Sequence, residues 1–374
     1  MSAPRLEIDL DKICHNASAL VARLGAYGID VTAVTKACCG APEVAQTLLR
    51  AGVTSLGDSR IENIERMRQS GIEAPMTLIR SPMMSQVDRV VAAADISLNT
   101  EMEIVSALSR AAGRADKVHG VVMMVELGDL REGILPRDVE NVVETLRQFP
   151  NIEFSGLGTN LACRSGVSPD NRNMAELSAL ADRIEHGTGS PLFVVSGGNS
   201  SNLEWVFNSG KIARINNLRL GESILLGREP LHRQPIKGLH TDAIHLIAEV
   251  IESKIKPSKP WGTMAQAAFE NSPVTGDRGQ IFQSILAVGR QDIDVRGLQA
   301  PSGIDILGAS SDHLVLDTGD SILTVGSEVS FEPDYSALLR AMTSSYVTKT
   351  FVGSTAVSYP KQEFSIPSLH SDAA

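Results

Sequence analysis

A lysine follows an apolar stretch near the start of the chain. The segment VTAVTKACCG (31–40) carries Val31, Ala33 and Val34 and then runs directly into Lys36. Lysine is rarely buried without a partner, so its position at the end of a predicted strand requires an explanation. A lysine amine there can act as a nucleophile or exchange protons, or it can form a structural ion pair with a carboxylate. The segment alone leaves both interpretations open.

Polar residues also end later apolar stretches. These strand-end residues are Asp58, Ser59 and Arg60, then Arg131, Asn160, the segment SGGNSS (196–201), and Arg219 with Gly221 and Glu222. Glycine-rich loops at such positions bind phosphate through backbone N–H groups. A phosphate site in SGGNSS together with Lys36 predicts a phosphorylated aldehyde cofactor, pyridoxal phosphate, which lysine holds as a Schiff base. A plain turn at SGGNSS, a helix-capping turn at Asp58 and a strand-end salt bridge at Arg219 are the structural alternatives.

The strands that must position these residues alternate with helices over the first 228 residues. The predicted strands are 31–36, 54–58, 76–80, 95–99, 118–127, 153–160, 192–196 and 215–220. Apolar residues recur at helical spacing in 9–26, 42–51 and 173–186. Eight such units predict a (β/α)8 TIM barrel, with a doubly wound open sheet as the alternative.

The pattern changes near residue 237, where short β-type stretches punctuated by Gly, Pro and Asp replace the alternation. These stretches are 241–255, 281–290, 303–317 and 328–333, followed by a helix at 335–343 and a strand at 346–352, with a long loop at 256–280. The pattern predicts a barrel domain over 1–236, a mostly-β domain over 237–353 and a polar tail over 354–374.

Composition excludes several classes of function. The net charge is −10, 43% of residues are hydrophobic and 21% are charged, and no basic cluster suggests a nucleic-acid partner. The four cysteines form no metal-ligand pattern, so no metal site is expected. No apolar run is long enough to span a membrane, and the N-terminus MSAPRLEIDLDKI carries acids where a signal peptide would be apolar. A cytoplasmic protein is expected.

Several motifs in sequence order resemble the alanine racemase family of fold-type III pyridoxal 5'-phosphate enzymes. EIDLDKICHN (7–16), ELGDLREG and LRLGESILLGR carry the resemblance to the family as a whole. TKACCG, GDSRIENI, GTNLACRSGVSPDN, SGGNSSNL, GRQD and GASSDHL are similar to its ornithine racemase-like branch. The resemblance covers roughly residues 5 to 350. It implies an N-terminal barrel, a C-terminal β domain and a homodimer whose active site combines both subunits.

The resemblance assigns roles to individual residues. Lys36 would hold the cofactor, Arg219 would face its pyridine nitrogen, and Arg131 would contact its phenolic oxygen and the substrate carboxylate. An arginine at the ring nitrogen weakens the ring as an electron sink, which favours reprotonation at Cα over transamination. The cofactor-binding residues implied in this way are Lys36, Asn160, Asn199, Ser200, Arg219, Gly221, Glu222 and Tyr335.

Three departures from the family pattern concern the second catalytic base and the substrate. Trp261 stands where the family has a tyrosine that serves as the base on the second face, and indole cannot accept a proton. Met124 stands where some alanine racemases carry a modified lysine. Asp312 matches a family aspartate near the substrate, and its neighbour His313 has a suitable pKa for proton transfer. As neighbours on a predicted strand, however, these two would point to opposite faces.

These departures predict a racemase whose substrate is not alanine, with ornithine or lysine as the branch-level expectation. Candidate partners for a distal ammonium are Asp58, Glu62, Asp129, Glu132 and Asp312. An aldolase or decarboxylase on the same cofactor, and a non-catalytic cofactor-binding protein, are the alternatives.

Overall fold

The computed structural model describes residues 2–210, 212–269 and 276–353. Strand β1 (Arg5–Asp9) and helix α1 (Leu10–Gly25) come first, and eight parallel strands then close into a barrel in chain order. The barrel strands are β2 (Asp30–Val34), β3 (Ser55–Asp58), β4 (Met76–Leu78), β5 (Ile96–Asn99), β6 (His119–Met124), β7 (Ile152–Gly158), β8 (Val194–Ser196) and β9 (Asn217–Leu220). β9 pairs with β2 and closes the ring, so the predicted (β/α)8 barrel is confirmed and the open-sheet alternative is wrong.

Helices follow the barrel strands and cover the outside of the barrel. They are α2 (Pro42–Arg50), α3 (Ile61–Gln69), α4 (Val87–Ala93), α5 (Met102–Arg114), α6 (Val139–Leu146), α7 (Asn171–Thr188), α8 (Asn202–Asn208) and α9 (Glu222–Leu226). Local sequence explains several boundaries. The Asp9 carboxylate accepts the N–H groups of Asp11 and Lys12 and starts α1, and Asp170 starts α7 with a capping box. β6 is buried along its whole length, as expected of a parallel strand covered on both faces.

The inside of the barrel has an apolar half and a polar half. The apolar half consists of Ile79, Ile96, Leu98, Val122, Met124 and Val194. Met124, in the position of the family's modified lysine, is therefore part of this packed cluster. The polar half lies on β2, β3, β8 and β9 and includes Thr32, Ser55, Ser196, Asn217 and Arg219. Gly158 lies between the two halves: a Cβ there would crowd Met124 Sδ at 3.1 Å and would be in ordinary contact with Arg219 Nη1 at 3.6 Å.

The second sheet confirms the predicted mostly-β region. Its further elements are β10 (Ile244–Pro257), β11 (Gln280–Leu286), β12 (Leu298–Gln299), β13 (Asp305–Ala309), β14 (Leu314–Asp317), β15 (Glu328–Pro333), helix α10 (Tyr335–Thr343) and β16 (Thr348–Val352). The β-type stretch predicted over 303–317 contains two strands, because the N–H of Ser310 donates to the His313 carbonyl and closes a turn that separates β13 from β14.

β1 lies in this second sheet, although it comes from the opposite end of the chain. It pairs antiparallel with β10 and parallel with β16. The Arg5 guanidinium binds Glu328 through both Nη atoms, at 2.6 and 2.9 Å, and adds a polar link from β1 to β15. The predicted domain boundary after residue 236 stays a prediction, and the predicted tail over 354–374 lies outside the described residues. Within the described ranges, no helix is both long and apolar enough to cross a membrane.

Candidate active site

Lys36 lies just beyond β2, in a single 3-10 turn formed by Lys36–Cys38. The prediction that Lys36 is the last residue of the strand is therefore wrong by two residues, because the backbone leaves the extended conformation at Thr35. The side chain is half-buried, and among the described residues its amine makes no hydrogen bond or ion pair. Burial lowers the pKa of Lys36, and the charges of Arg131 and Arg219 lower it further. The structural ion-pair alternative for Lys36 thus finds no partner in the described chain.

A buried carboxylate fixes the turn that carries Lys36. Asp58, at the end of β3, accepts the Thr35 hydroxyl at 2.7 Å, the Arg60 N–H at 2.9 Å and the Asn63 amide at 3.0 Å. Burial raises the pKa of Asp58, while these hydrogen bonds oppose that shift. The Asp58 carboxylate accepts no backbone N–H from the first turn of α3, so the capping alternative is wrong as stated, and the binding role stays a prediction. What Asp58 holds is the Asn63 side chain of α3 and the residue before Lys36.

Arg219 is buried in the barrel and faces no carboxylate. Its Nη1 donates to Ser196 Oγ at 2.5 Å, and its Nη2 donates to the Thr159 carbonyl at 2.7 Å. Burial lowers its pKa to about 10. A buried guanidinium that pairs only with neutral acceptors is costly, so the salt-bridge alternative fails for the described residues and an additional acceptor at this point is favoured.

The loops after β8 and β9 meet at Ser200. The Ser200 hydroxyl lies 2.9 Å from the Ser223 hydroxyl and accepts the N–H groups of Gly221 and Ser223 at 3.4 and 3.3 Å. Nearby, the Ser201 hydroxyl is buried and has no hydrogen-bond partner in the described chain. The Glu222 N–H likewise donates to no described acceptor, and the Glu222 side chain pairs with Arg233. Hydroxyl and N–H groups without partners are what an anion such as phosphate binds.

Asn160 and Asn199 join the loop after β7 to the loop after β8. The Asn199 amide donates to the Leu161 carbonyl at 2.9 Å and to Asn160 Oδ1 at 3.2 Å, so its partners lie within the protein. Asn160 Nδ2 is buried without a partner in the described chain. Of the two predicted cofactor contacts, Asn160 therefore has a free donor, whereas Asn199 holds the loops together.

Cys163 lies among these groups, although the sequence motifs do not predict it as a site residue. Its Sγ accepts the Asn199 amide at 3.5 Å, and the thiol lies within electrostatic reach of Lys36, Arg131 and Arg219. The feature of the sequence that could have identified Cys163 as a site residue is its position in GTNLAC, directly after a barrel strand. A cysteine on such a loop faces the mouth of the barrel where substrates bind.

Arg131 lies at the barrel mouth and forms an ion pair with Glu132. The Glu126 carboxylate shapes their loop by accepting the N–H groups of Gly128, Leu130 and Arg131. The charge of Glu132 also acts on Arg219. The pair therefore offers one cation and one anion close to the buried arginine.

Asp129, by contrast, is buried and fully engaged. It accepts the N–H groups of Cys163, Arg164 and Ser165 and so ties the two mouth loops together. Glu62 binds Arg89 and the Gln86 amide on the outside of the barrel. Among the acidic candidates at the mouth, Glu132 is the one whose carboxylate has a partner that a substrate could replace.

Tyr335 begins α10, which packs against the Lys36–Cys38 turn. The side chain is half-buried, and burial raises its pKa, with smaller contributions from Cys163, Cys38 and Asp58. The Asp334 carboxylate accepts the Ala337 N–H at 2.9 Å and fixes the start of this helix. Tyr335 is thus brought to the barrel mouth by the second domain.

Asp312 and His313 lie in the turn between β13 and β14. Because this segment is a turn, the expectation that the two side chains point to opposite faces of a strand is wrong: His313 Nδ1 lies 2.7 Å from Asp312 Oδ1. Both side chains are largely exposed, and in the described chain neither forms a hydrogen bond or ion pair with Lys36 or Arg219. Trp261 is 92% exposed on the loop after β10. Among the described residues of one chain, neither the Asp312–His313 pair nor Trp261 therefore reaches Lys36 as the expected second proton acceptor.

The arrangement at the barrel mouth fits pyridoxal phosphate. Lys36 supplies an amine with a lowered pKa, Arg219 supplies a buried donor that lacks an anion, and Asn160 and Ser201 supply unpaired polar atoms. Lys36, Arg219, Ser200 and Tyr335 come together as predicted, whereas Asp312 and His313 do not join them within one chain. No group of three metal-ligating side chains occurs in the described ranges.

Comparisons with known proteins agree with this geometry. The family model described as alanine racemase, N-terminal domain, matches residues 8–229. The ornithine racemase of Acetoanaerobium sticklandii is 38% identical over 351 residues, covering 92% of this chain and 99% of that protein. The lysine racemase of Thermotoga maritima is 37% identical over 354 residues, covering 94% and 99%. The solved alanine racemase of Streptomyces lavendulae shares the fold, with a TM-score of 0.73 at 18% identity over 94% of this chain and 98% of that one.

Proposed function

This chain belongs to the alanine racemase family of pyridoxal-phosphate-dependent enzymes, and from that membership we propose that it racemises a basic amino acid, ornithine or lysine. Two relatives that align over nearly their whole length are named ornithine racemase and lysine racemase. The structural observation that carries the substrate proposal is the Arg131–Glu132 pair at the barrel mouth. Arg131 offers a cation for the α-carboxylate, and Glu132 offers an anion for the distal ammonium.

Pyridoxal phosphate, when bound, supplies an electron sink that makes the Cα–H bond of an amino acid acidic. Lys36 holds the cofactor and moves the proton at Cα on one face, which requires a neutral amine. The lowered pKa of Lys36 increases the neutral fraction at a given pH. The Thr35–Asp58 hydrogen bond keeps the turn that carries this amine in place.

Arg219 sets the state of the ring nitrogen. A guanidinium only donates hydrogen bonds, so a ring nitrogen that contacts Arg219 must accept and therefore stays unprotonated. This favours the return of a proton to Cα over transfer of the amino group. Ser201, Asn160 and the N–H group of Glu222 would hold the phosphate, and Tyr335 would contact it from the second domain.

We propose that the active enzyme is a homodimer. A proton acceptor is needed on the second face of the substrate, and Asp312 and His313 are exposed as a hydrogen-bonded pair without a link to Lys36 in the same described chain. A second copy that places its β13–β14 turn over the barrel mouth would supply these groups. This arrangement would also keep water away from the reacting carbon.

We propose the cytoplasm as the location. The four cysteines, Cys14, Cys38, Cys39 and Cys163, are all free. Free thiols, one of them exposed at the active site, are suited to a reducing compartment.

An aldolase or decarboxylase activity is not favoured. Both chemistries begin with the same cofactor, but both full-length relatives carry the name of a racemase. A protein that only bound the cofactor would have no substrate for the Arg131–Glu132 pair at the barrel mouth to bind.

The deciding experiment is proton–deuterium exchange at Cα, followed by NMR in D2O. Purified protein with added pyridoxal phosphate is incubated with L-ornithine, L-lysine, L-arginine, L-alanine and L-norvaline. We expect exchange together with loss of optical activity for ornithine or lysine, and much less for norvaline, which lacks the distal ammonium. Exchange with alanine alone would reject the basic substrate. Absence of exchange with every amino acid, despite bound cofactor, would reject the racemase.

A further inference from the structure

We propose that a hydrogen-bond chain through the barrel interior positions Arg219 against the ring nitrogen of the cofactor. The barrel chain, as we call it, consists of Ser196, Asn217, Thr32 and Ser55. The inference rests on the proposed cofactor site, but it concerns residues that do not touch the substrate. They are positioning residues, which act through Arg219.

The barrel chain is continuous from Arg219 to β3. Arg219 Nη1 donates to Ser196 Oγ at 2.5 Å, and Ser196 Oγ donates to Asn217 Oδ1 at 2.7 Å. Asn217 Nδ2 then donates to Thr32 Oγ1 at 3.0 Å, and Thr32 Oγ1 lies 2.8 Å from Ser55 Oγ. Four neighbouring strands, β8, β9, β2 and β3, thus each contribute a side chain.

The directions of the bonds from Arg219 to Thr32 follow from Arg219, whereas between the Thr32 and Ser55 hydroxyls either can donate. Since a guanidinium has no acceptor, Ser196 Oγ must accept from it and has one proton left to donate. That proton goes to Asn217 Oδ1, which leaves the Asn217 amide nitrogen facing Thr32. A reversed Asn217 amide would direct a second donor at Ser196 and leave the Ser196 proton without an acceptor. The orientation of the asparagine is therefore fixed from its Ser196 end.

The surroundings offer these groups few other partners. The barrel chain lines a cavity of about 160 Å³ whose opposite wall is formed by Ile96, Leu98 and Val122. The cavity also reaches Asp30 and Asn216, at the strand ends opposite Lys36. Thr32, Ser196 and Arg219 are buried, so a break in the chain that leaves one of them without a partner is costly.

The barrel chain supplies one of the two strong anchors of the guanidinium. The other is the Thr159 carbonyl, which accepts from Nη2 at 2.7 Å. Two anchors on different nitrogens fix the plane of the guanidinium, whereas one anchor allows it to rotate. We therefore expect the loss of Ser196 or Thr32 to loosen the contact between Arg219 and the ring nitrogen.

Two threonines provide a matched test. Thr32 and Thr77 line the same cavity from β2 and β4, but only Thr32 belongs to the barrel chain. Thr32→Val and Thr77→Val make the same change of a hydroxyl to a methyl group. Ser196→Ala removes the first acceptor of Arg219 directly and serves as a second variant if Thr32→Val folds poorly.

Two quantities are measured on each variant. The first is the dissociation constant of pyridoxal phosphate from the protein without substrate, which does not depend on turnover. The second is the number of 2-oxo acid molecules released per racemisation event. A ring nitrogen freed from Arg219 can be protonated, which favours transfer of the substrate's amino group to the cofactor and release of the remaining carbon skeleton as the 2-oxo acid. We expect Thr32→Val and Ser196→Ala to raise both quantities by about tenfold, the scale of other supporting-residue effects, and Thr77→Val to leave them unchanged.

Equal values for Thr32→Val and Thr77→Val in both measurements would overturn the proposal. A different result would show that the proposed function is wrong. In that case the unaltered protein releases no racemised product, while the dissociation constants still report whether the barrel chain supports the cofactor site.

Discussion

Thr35 Oγ1 donates a 2.7 Å hydrogen bond to Asp58 Oδ2, which joins the end of β2 to the end of β3 immediately before Lys36. The same carboxylate also accepts the Arg60 N–H and the Asn63 amide through Oδ1. Asp58 is fully buried, so no water molecule can take its place as the acceptor for these three donors. The position of the active-site lysine thus depends on a carboxylate outside the reaction itself.

Replacing Asp58 with asparagine tests this dependence. The amide would direct a donor at groups that are themselves donors, and buried hydrogen bonds to a charged group would be lost. We expect Asp58→Asn to lower the free energy of unfolding by about 2–3 kcal/mol, as measured by urea denaturation. Asp88→Asn, which removes a carboxylate paired with Arg114 on the surface, should change it by less than about 1 kcal/mol.

Asp58→Asn should also move the pH dependence of racemisation. The negative charge of Asp58 raises the pKa of Lys36, so its removal lowers that pKa. Because the neutral amine is the active form, the rate should then begin to rise at a lower pH. The parameter to follow is kcat, because it reports groups that titrate in the enzyme–substrate complex, where the Lys36 amine is free. An unshifted acid limb of kcat in a folded Asp58→Asn variant would show that the two groups are not coupled.

Lys36→Ala should abolish the covalent attachment of the cofactor. The side chain lies in a half-buried turn and makes no hydrogen bond to the described chain, so its removal should leave the fold intact. We expect no cofactor absorbance after dialysis and reduction with borohydride, with a far-ultraviolet circular dichroism spectrum like that of the unaltered protein. Lys117→Ala, which removes a lysine at the opposite end of the barrel, is the control and should retain the cofactor.

Glu132→Gln should weaken the binding of basic substrates selectively. If Glu132 receives the distal ammonium, the loss of its charge should raise KM for ornithine or lysine about tenfold, equivalent to about 1.4 kcal/mol. For norvaline, which has no such ammonium, KM should be unchanged. Glu140→Gln removes a carboxylate from another surface pair, with Arg183, and should affect neither substrate. If Glu132→Gln raised KM equally for the basic amino acid and for norvaline, the Glu132 carboxylate would serve only to hold Arg131 and would not bind the distal ammonium.

The sequence was sufficient for the parts of the fold that depend on local pattern. β6 is a continuous apolar stretch, and Lys36 and Arg219 each follow or end a barrel strand, so their convergence follows from the closure of the barrel. β1 was not predictable in this way. Its partners, near residues 244–247 and 348–352, are distant in sequence, so no local pattern indicates them.

The pairings of side chains on neighbouring strands could not be predicted from the sequence either. The barrel chain from Ser196 to Ser55 depends on the register between β8, β9, β2 and β3, which no local pattern specifies. The Asp312–His313 pair failed as a strand prediction because a turn of polar residues lies inside an otherwise β-type stretch. Register and turn position are set by the assembled sheet, and each decides which side chains meet.

His119 provides a test of how the barrel interior responds to pH. It is buried at the start of β6, where its Nε2 lies 2.8 Å from the Ser97 hydroxyl, and burial lowers its pKa from 6.5 to about 4. The unfolded chain therefore takes up a proton below about pH 6.5, whereas the folded protein does so only below about pH 4. Stability should fall as the pH decreases through this window, and His119 should account for a loss of about 2 kcal/mol between pH 7 and pH 5.

Urea denaturation at pH 7 and pH 5 measures this loss in the unaltered protein and in His119→Asn. The variant should lose about 2 kcal/mol less than the unaltered protein between the two pH values, even if it is less stable at pH 7. His232→Asn, which alters an exposed histidine, should behave like the unaltered protein. If His119→Asn and the unaltered protein lost equal stability, the buried histidine would already be protonated at pH 5, and the neutral hydrogen bond to Ser97 would not describe its state.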